Sequence, residues 1–180
     1  PFTSRVIEKE AKTNVTSISM RFATTDLFSK ELYPLDLLEF ILGCGENCLL
    51  HKILVDQKKI AYSVHCTSYT PALTTGYFDI ACETEYKNIE LVKKEIIKIV
   101  DKIKKGSISE TAIKEAIKKK VAEDILSISH IEDKVARFAQ SYLFAHTPNF
   151  FDAYLNNIKK VQKKELVQAA NTFLDFDRTV

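Results

Sequence analysis

A chain of 180 residues can close one sizeable core and is short for two. Its 26 basic and 24 acidic residues nearly cancel, and the lysine-rich runs alternate with Glu and Ile as on solvated helix faces, so nucleic acid is not an expected partner. No apolar run approaches the length needed to cross a bilayer, which argues against membrane insertion.

The chain starts at Pro1 with no initiator methionine and reads as a piece of a longer protein, a single domain over 1–180 in which the polar residues 1–12 are a leading linker. Thr16, Ile18, Met20 and Phe22 alternate with Val15, Ser17, Ser19 and Arg21, the pattern of a half-buried strand. Thr24-Thr25-Asp26 ends it. The apolar run Leu35 to Leu42, with Pro34 in the first turn, predicts a helix. Gly43-x-Gly45 stops that helix, both glycines permitting positive φ where a new axis begins. Leu49, Leu50, Ile53 and Leu54 then form the stripe of a second helix, and a strand opens at Ala61, with Tyr62 at its mouth just after Lys58 and Lys59.

Tyr62 to Tyr69 and Tyr77 to Thr84 both alternate around a loop carrying Pro71 and Gly76, which predicts an antiparallel hairpin. From Asn88 the period becomes helical. Ile89, Val92, Ile96, Ile99, Val100 and Ile103 recur until Gly106. Ser109 offers a cap for a helix through Ala112, Ile113, Ala116, Ile117, Val121, Ile125 and Ile128, followed by an amphipathic segment from Ile131 to Phe144, with a bend or a break near Ser127 to Ser129. Thr147-Pro148 ends it, and two shorter helices cover 149–160 and 163–174. Arg178-Thr179-Val180 reads as the start of another strand. Early strands and late helices argue for an α+β fold, an antiparallel β-sheet with its helices packed on one face.

Cys44, Cys48, Cys66 and Cys82 are too few and too spread for a disulfide framework and read as free thiols. On a continuous helix Cys44 and Cys48 would share a face, but no histidine stands at zinc-finger spacing. His51, His65, His130 and His146 lie more than a helical turn apart. They read as a helix-surface, a strand, a mid-helix and a helix-end residue that satisfy local hydrogen bonds. Glu39 reads as a solvated or helix-pairing carboxylate. The opposing hypothesis is a thiol or metal module built from Cys44, Cys48, Cys66 and His65, for which the spacing gives little support.

The stretch Gly43 to Val64, GCGENCLLHKILVDQKKIAYSV, resembles the segment G-G-G-x-S-S-R-L-x-x-x-L-R-E-x-x-G-L-A-Y-S-V of the pitrilysin/insulinase (M16) metallopeptidase family. Aligned without a gap, it keeps Gly43, Gly45, Leu50, Leu54, Ala61, Tyr62, Ser63 and Val64, and a looser likeness runs from Val15 to Arg178. In that family the segment belongs to non-catalytic domains that close over a zinc-bearing domain and help hold an extended peptide. An active domain would carry H-x-x-E-H on its first helix, two histidines four apart binding the metal and a carboxylate activating its water. Overlaid at Glu39, the histidine positions fall on Asp36 and Phe40, and Phe40 cannot ligate anything. The resemblance therefore implies no metal site and no cofactor in this chain, and zinc in the catalytic domain of its parent.

By the same resemblance, Tyr62 is the candidate substrate-binding residue. The family's tyrosine works with an arginine seven residues earlier, both donating hydrogen bonds to a substrate carbonyl as charge develops. Here the arginine position is Val55; Lys58 or Lys59 could supply a cation, though an ammonium does not replace a planar fork. Either this is a structural domain in which Tyr62 is an aromatic at a strand end, or it is substrate-facing with a degraded pair, and the missing bidentate donor favours the first. The implied partners are other M16 domains, in the same polypeptide or a partner subunit, and a peptide held by strand addition. The alternative is a metal-free scaffold or core subunit of a processing-peptidase or respiratory-type complex.

Overall fold

The computed structural model describes residues 4–10 and 12–179. Three strands form one antiparallel sheet: β1 (Thr16–Ala23), β2 (Ser63–Tyr69) and β3 (Tyr77–Thr84), in the order β1-β3-β2. The register sets Met20 and Cys66 opposite Ile80, and Phe22 and Ser68 opposite Phe78. The period of two therefore sends Met20, Phe22, Val64, Cys66, Phe78, Ile80 and Cys82 to one buried face. The other face is polar. On it Ser19 donates to Asp79 at 2.6 Å, Arg21 pairs with Asp79 at 3.3 Å, and the Arg21 guanidinium lies 4.2 Å above the Tyr77 ring. The α+β plan predicted from the pattern is the plan observed.

Helix α1 (Leu32–Gly43) is the centre of the core. Leu35, Leu37, Leu38, Phe40, Ile41 and Leu42 are all buried, so it is apolar nearly all round and is covered by β2, α4, α6 and α7. The second helix differs from its prediction. Only Leu49–His51 (α2) is α-helical, and Lys52–Gln57 widens into a π turn in which the Lys58 amide donates to the Ile53 carbonyl at 3.0 Å. Leu50 and Leu54 stay fully buried, while Leu49 and Ile53 are half-buried. Regular β2 pairing begins at Ser63, two residues after the expected Ala61, although the Tyr62 amide already donates to the Glu83 carbonyl at 2.8 Å.

The later helices are α3 (Ile89–Lys104), α4 (Glu110–Leu126), α5 (Ile131–Ala145), α6 (Phe150–Ile158) and α7 (Lys163–Phe173). Val92, Ile96, Ile99, Val100 and Ile103 are the buried stripe of α3. The Ser109 cap of α4 forms, its hydroxyl accepting from the Ala112 amide at 3.1 Å. Between α4 and α5 the chain breaks rather than bends, because the Ser127 and Ser129 hydroxyls donate to the Asp124 and Leu126 carbonyls and close the helix end. His130 consequently sits at the start of α5, not mid-helix, where its amide donates to Asp133 at 3.1 Å. Ile125, counted in the α4 stripe, is 58% exposed.

At the end of the chain Thr179 makes an isolated antiparallel bridge to Phe22, so the expected further strand is represented by one residue alongside β1; Val180 lies outside the described residues. Of the 1–12 linker, Ser4 and Arg5 are anchored by hydrogen bonds that their backbone amides donate to the Asp177 and Thr179 carbonyls at 3.1 and 3.0 Å, and residues 1–3 and 11 lie outside the description.

Candidate functional site at Tyr62

Two glycines bring the chain from α1 to Tyr62 by different means. Gly45 has φ +80°, the left-handed turn expected of it, with open space around it. Gly43 does not take positive φ. It is the last residue of α1, and a Cβ there would lie 2.5 Å from the Cys66 backbone nitrogen and press on its Sγ, so hydrogen is the substituent that lets the helix end rest on β2. Cys44 and Cys48 fall in the turn between the helices rather than on one helical face. All four cysteines are free, and burial raises the thiol of Cys66 well above its usual range.

Just beyond the π turn and its cap Lys58, Lys59 has φ +52°. This is the position where the motif carries glycine, and its side chain pays for a conformation that glycine adopts freely. After it, the Ile60 and Ala61 amides both donate to the Leu54 carbonyl, at 2.9 and 3.2 Å, and Thr84 Oγ1 donates to the Ile60 carbonyl at 2.5 Å. The chain is thus fixed just before Tyr62, and the ladder with β3 fixes it from Ser63 onward.

Tyr62 is 55% exposed at the mouth of β2. With Val55, Lys59, Ile60, Ala61, Glu85 and Asn88 it lines a shallow cleft of about 170 Å³. The seven-residue spacing therefore does bring the two motif positions together, but Val55 offers an apolar wall where the fork of an arginine would lie. The Tyr62 hydroxyl donates to Glu85 Oε1 at 3.3 Å, and Glu85 Oε2 is held by the Lys87 ammonium at 2.6 Å. Partial desolvation, and then the Glu85 carboxylate, raise the phenol above its ordinary value, so it stays a donor at neutral pH. Of the two lysines proposed as cations, Lys58 is committed to Glu95 of α3 at 2.8 Å, and Lys59 borders the cleft. Glu85 and Lys87, which the sequence pattern did not single out, complete the surroundings of the phenol.

The positions overlaid on the inverted zinc motif form a second, buried cluster. Asp36 is buried and accepts from the Tyr154 hydroxyl at 2.6 Å. Glu39, read from sequence as a solvated or helix-pairing carboxylate, turns toward the sheet instead; its Oε2 accepts the Ser68 amide of β2 at 3.2 Å, and desolvation lifts it to about 7. Burial also raises Asp36 and Tyr154. Burial disfavours the charge on Lys120, but Asp36, Glu123 and Glu39 outweigh it and raise its pKa; its ammonium meets Glu123 at 3.0 Å and lies 5.4 Å from the Phe40 ring centre. A zinc ion does not fit this arrangement. One ligand position is an aromatic ring, the carboxylates have hydrogen-bond partners, and a fixed cation already stands among them. Among the described residues no group of three or more His, Cys, Asp or Glu side chains is arranged to hold a metal.

The histidines stand apart. His51 faces Asp56 at 3.6 Å, His65 is exposed on the polar face of β2, and His146 caps α5 with φ +52°. Of the expected peptide-adding edges, β1 carries the Thr179 bridge, and β2 has its Ser68 amide taken by Glu39.

Comparison with known proteins places this geometry. A sequence profile described as the Peptidase M16 inactive domain matches residues 1–120. The zinc protease PqqE of Helicobacter pylori is 25% identical over 144 residues, which are 80% of this chain and 32% of that protein. Among solved structures, a protease from Helicobacter pylori superposes with TM-score 0.84 at 20% identity, covering 94% of this chain and 41% of that one. A chain of Complex III2 from Candida albicans superposes at 0.82 with 16% identity, covering 99% of this chain and 44% of the other. The chain thus spans about a third of the curated relative it matches, and these two structures share its fold. With the profile covering two thirds of the sequence, the chain belongs to the M16 peptidase inactive-domain family.

Proposed function

We propose that this chain is a non-catalytic domain of a larger M16-type zinc metalloendopeptidase, forming part of a closed substrate chamber and binding extended peptide. The observation that carries the reading is the polar outer face of the three-stranded antiparallel sheet. That face presents Ser19, Arg21, His65 and Thr67, side chains suited to a wet chamber wall rather than to a packed interior. The zinc belongs to another domain of the parent.

The test assays peptide hydrolysis and zinc content of the 180-residue chain and of the polypeptide encoded by its full reading frame. The long polypeptide is expected to bind zinc and cleave peptides, and the 180-residue chain to do neither. Tyr62→Phe in the long polypeptide should lower kcat/KM less than about threefold, whereas loss of a working oxyanion donor costs ~100-fold or more. A drop of that size would make Tyr62 a substrate donor. Stoichiometric zinc on the 180-residue chain alone would sink the reading.

The alternative is a metal-free scaffold or core subunit of a processing-peptidase or respiratory-type complex, and the fold shared with a chain of Complex III2 is the observation on its side. It predicts a reading frame in which no H-x-x-E-H motif occurs.

A further inference from the structure

Helix α5 is mounted inside out. Its inward side is polar: Ser141 is 2% exposed, and Asp133 and Arg137 are half-buried. Its outward side is apolar, with Ile131, Val135, Phe138 and Tyr142 exposed by 67, 61, 58 and 67%. A helix free to roll on its own core would do the reverse. The orientation is locked by Arg137, whose two nitrogens grip the Asp124 carboxylate at 2.7 and 2.9 Å and whose guanidinium lies 4.7 Å from the Phe151 ring centre. Leu126, at the end of α4, is likewise exposed, by 71%.

We propose that this outward stripe is the seat of an apolar helix belonging to a second domain of the same polypeptide, an inference that rests on the multi-domain reading above. The spacing of four, three and four residues is the seam that meets another helix; an added strand would call for a period of two. Charge argues against a lipid surface, because α5 bears Glu132, Asp133, Lys134 and Arg137 in balance and no basic flank to meet anionic headgroups. Size argues for a tethered occupant. A helix of 15 residues is ~22 Å long and offers far less than the ~800 Å² per side of a stable free complex, whereas a covalent neighbour is present at an effective concentration near millimolar. The Helicobacter relatives have room for such a neighbour, since this chain matches only 32% and 41% of their lengths.

Hydrogen exchange over 131–145 is compared in the 180-residue chain and in the full reading-frame polypeptide, each as wild type and as Phe138→Glu. The expected result is exchange at least tenfold slower in the long polypeptide, restored to the fast rate by Phe138→Glu, with Ile96 to Val100 protected throughout as proof of folding. Equal rates in the two lengths, in a polypeptide that binds zinc and cleaves peptides, would overturn the docking and leave the multi-domain reading standing. A 180-residue chain that light scattering finds dimeric, and that Phe138→Glu renders monomeric, would assign the stripe to a second copy instead. A reading frame with no second domain would overturn both.

Discussion

Lys59 shows what a single residue costs when the backbone has been fixed by its neighbours. Its φ of +52° is enforced by the π turn before it and the two hydrogen bonds that the following amides, Ile60 and Ala61, donate to the Leu54 carbonyl. A left-handed conformation costs a non-glycine residue ~1–2 kcal/mol, so Lys59→Gly should raise the unfolding free energy by ~1 kcal/mol after the added freedom of the unfolded chain is deducted. Urea midpoints decide it, with Lys59→Ala as the control that should move little. Glu39 gives a pH signature. Its carboxyl titrates near 4.5 unfolded and about 7 folded, so between these values the native state holds more protons and stability falls as pH rises. Denaturation series from pH 4.5 to 7.5 should show a loss of ~2–3 kcal/mol, and Glu39→Gln, whose amide oxygen still accepts from Ser68, should remove most of the slope. Asp36, shifted the same way, leaves a remainder.

Elements, more than residues, decided what the sequence could disclose. β1, β3, α3 and the Ser109 cap follow from period and propensity alone, because each is governed by neighbours within a turn or across one ladder. The π turn at Lys52–Gln57 was invisible, since one extra residue per turn leaves Leu50 and Leu54 in an ordinary helical pattern. Glu39 was misread for a different reason. Periodicity locates a polar position but not what covers it, and here β2 and α4, remote in sequence, close over the carboxylate. At the candidate site, Tyr62 and Val55 were legible through the motif spacing, whereas Glu85 and Lys87 reach the phenol only through pairing with β3. The close contact of α1 with β2 supplies a sharp test. Gly43→Ala places a methyl group against Cys66 backbone, which side-chain rotation cannot relieve, and should destabilise by ~1–3 kcal/mol. Cys66→Ala removes the Sγ but not the backbone nitrogen, so in the double variant thermal unfolding should recover only part of the loss.

For the molecule as a whole, the buried face of one small sheet and the nearly all-apolar α1 hold the strands and helices to a common core, while among the described residues the polar outer face of the sheet and the apolar outer face of α5 are left exposed. On the proposed reading their difference in character divides their roles, a wet wall and a dry joint. The Arg5–Thr179 and Thr179–Phe22 contacts add a topological consequence. Because residues near both extremities meet on one flank, the fold is a closed circuit in all but covalent connection. Joining the extremities with a short Gly-Ser bridge and reopening the chain at Leu73, 90% exposed in the β2–β3 loop, should give a permuted protein with the same circular dichroism spectrum and a melting temperature within ~10 °C. The same geometry lets such a unit be spliced into a host polypeptide as a cassette, displacing its two flanking segments by little more than the spacing of adjacent strands.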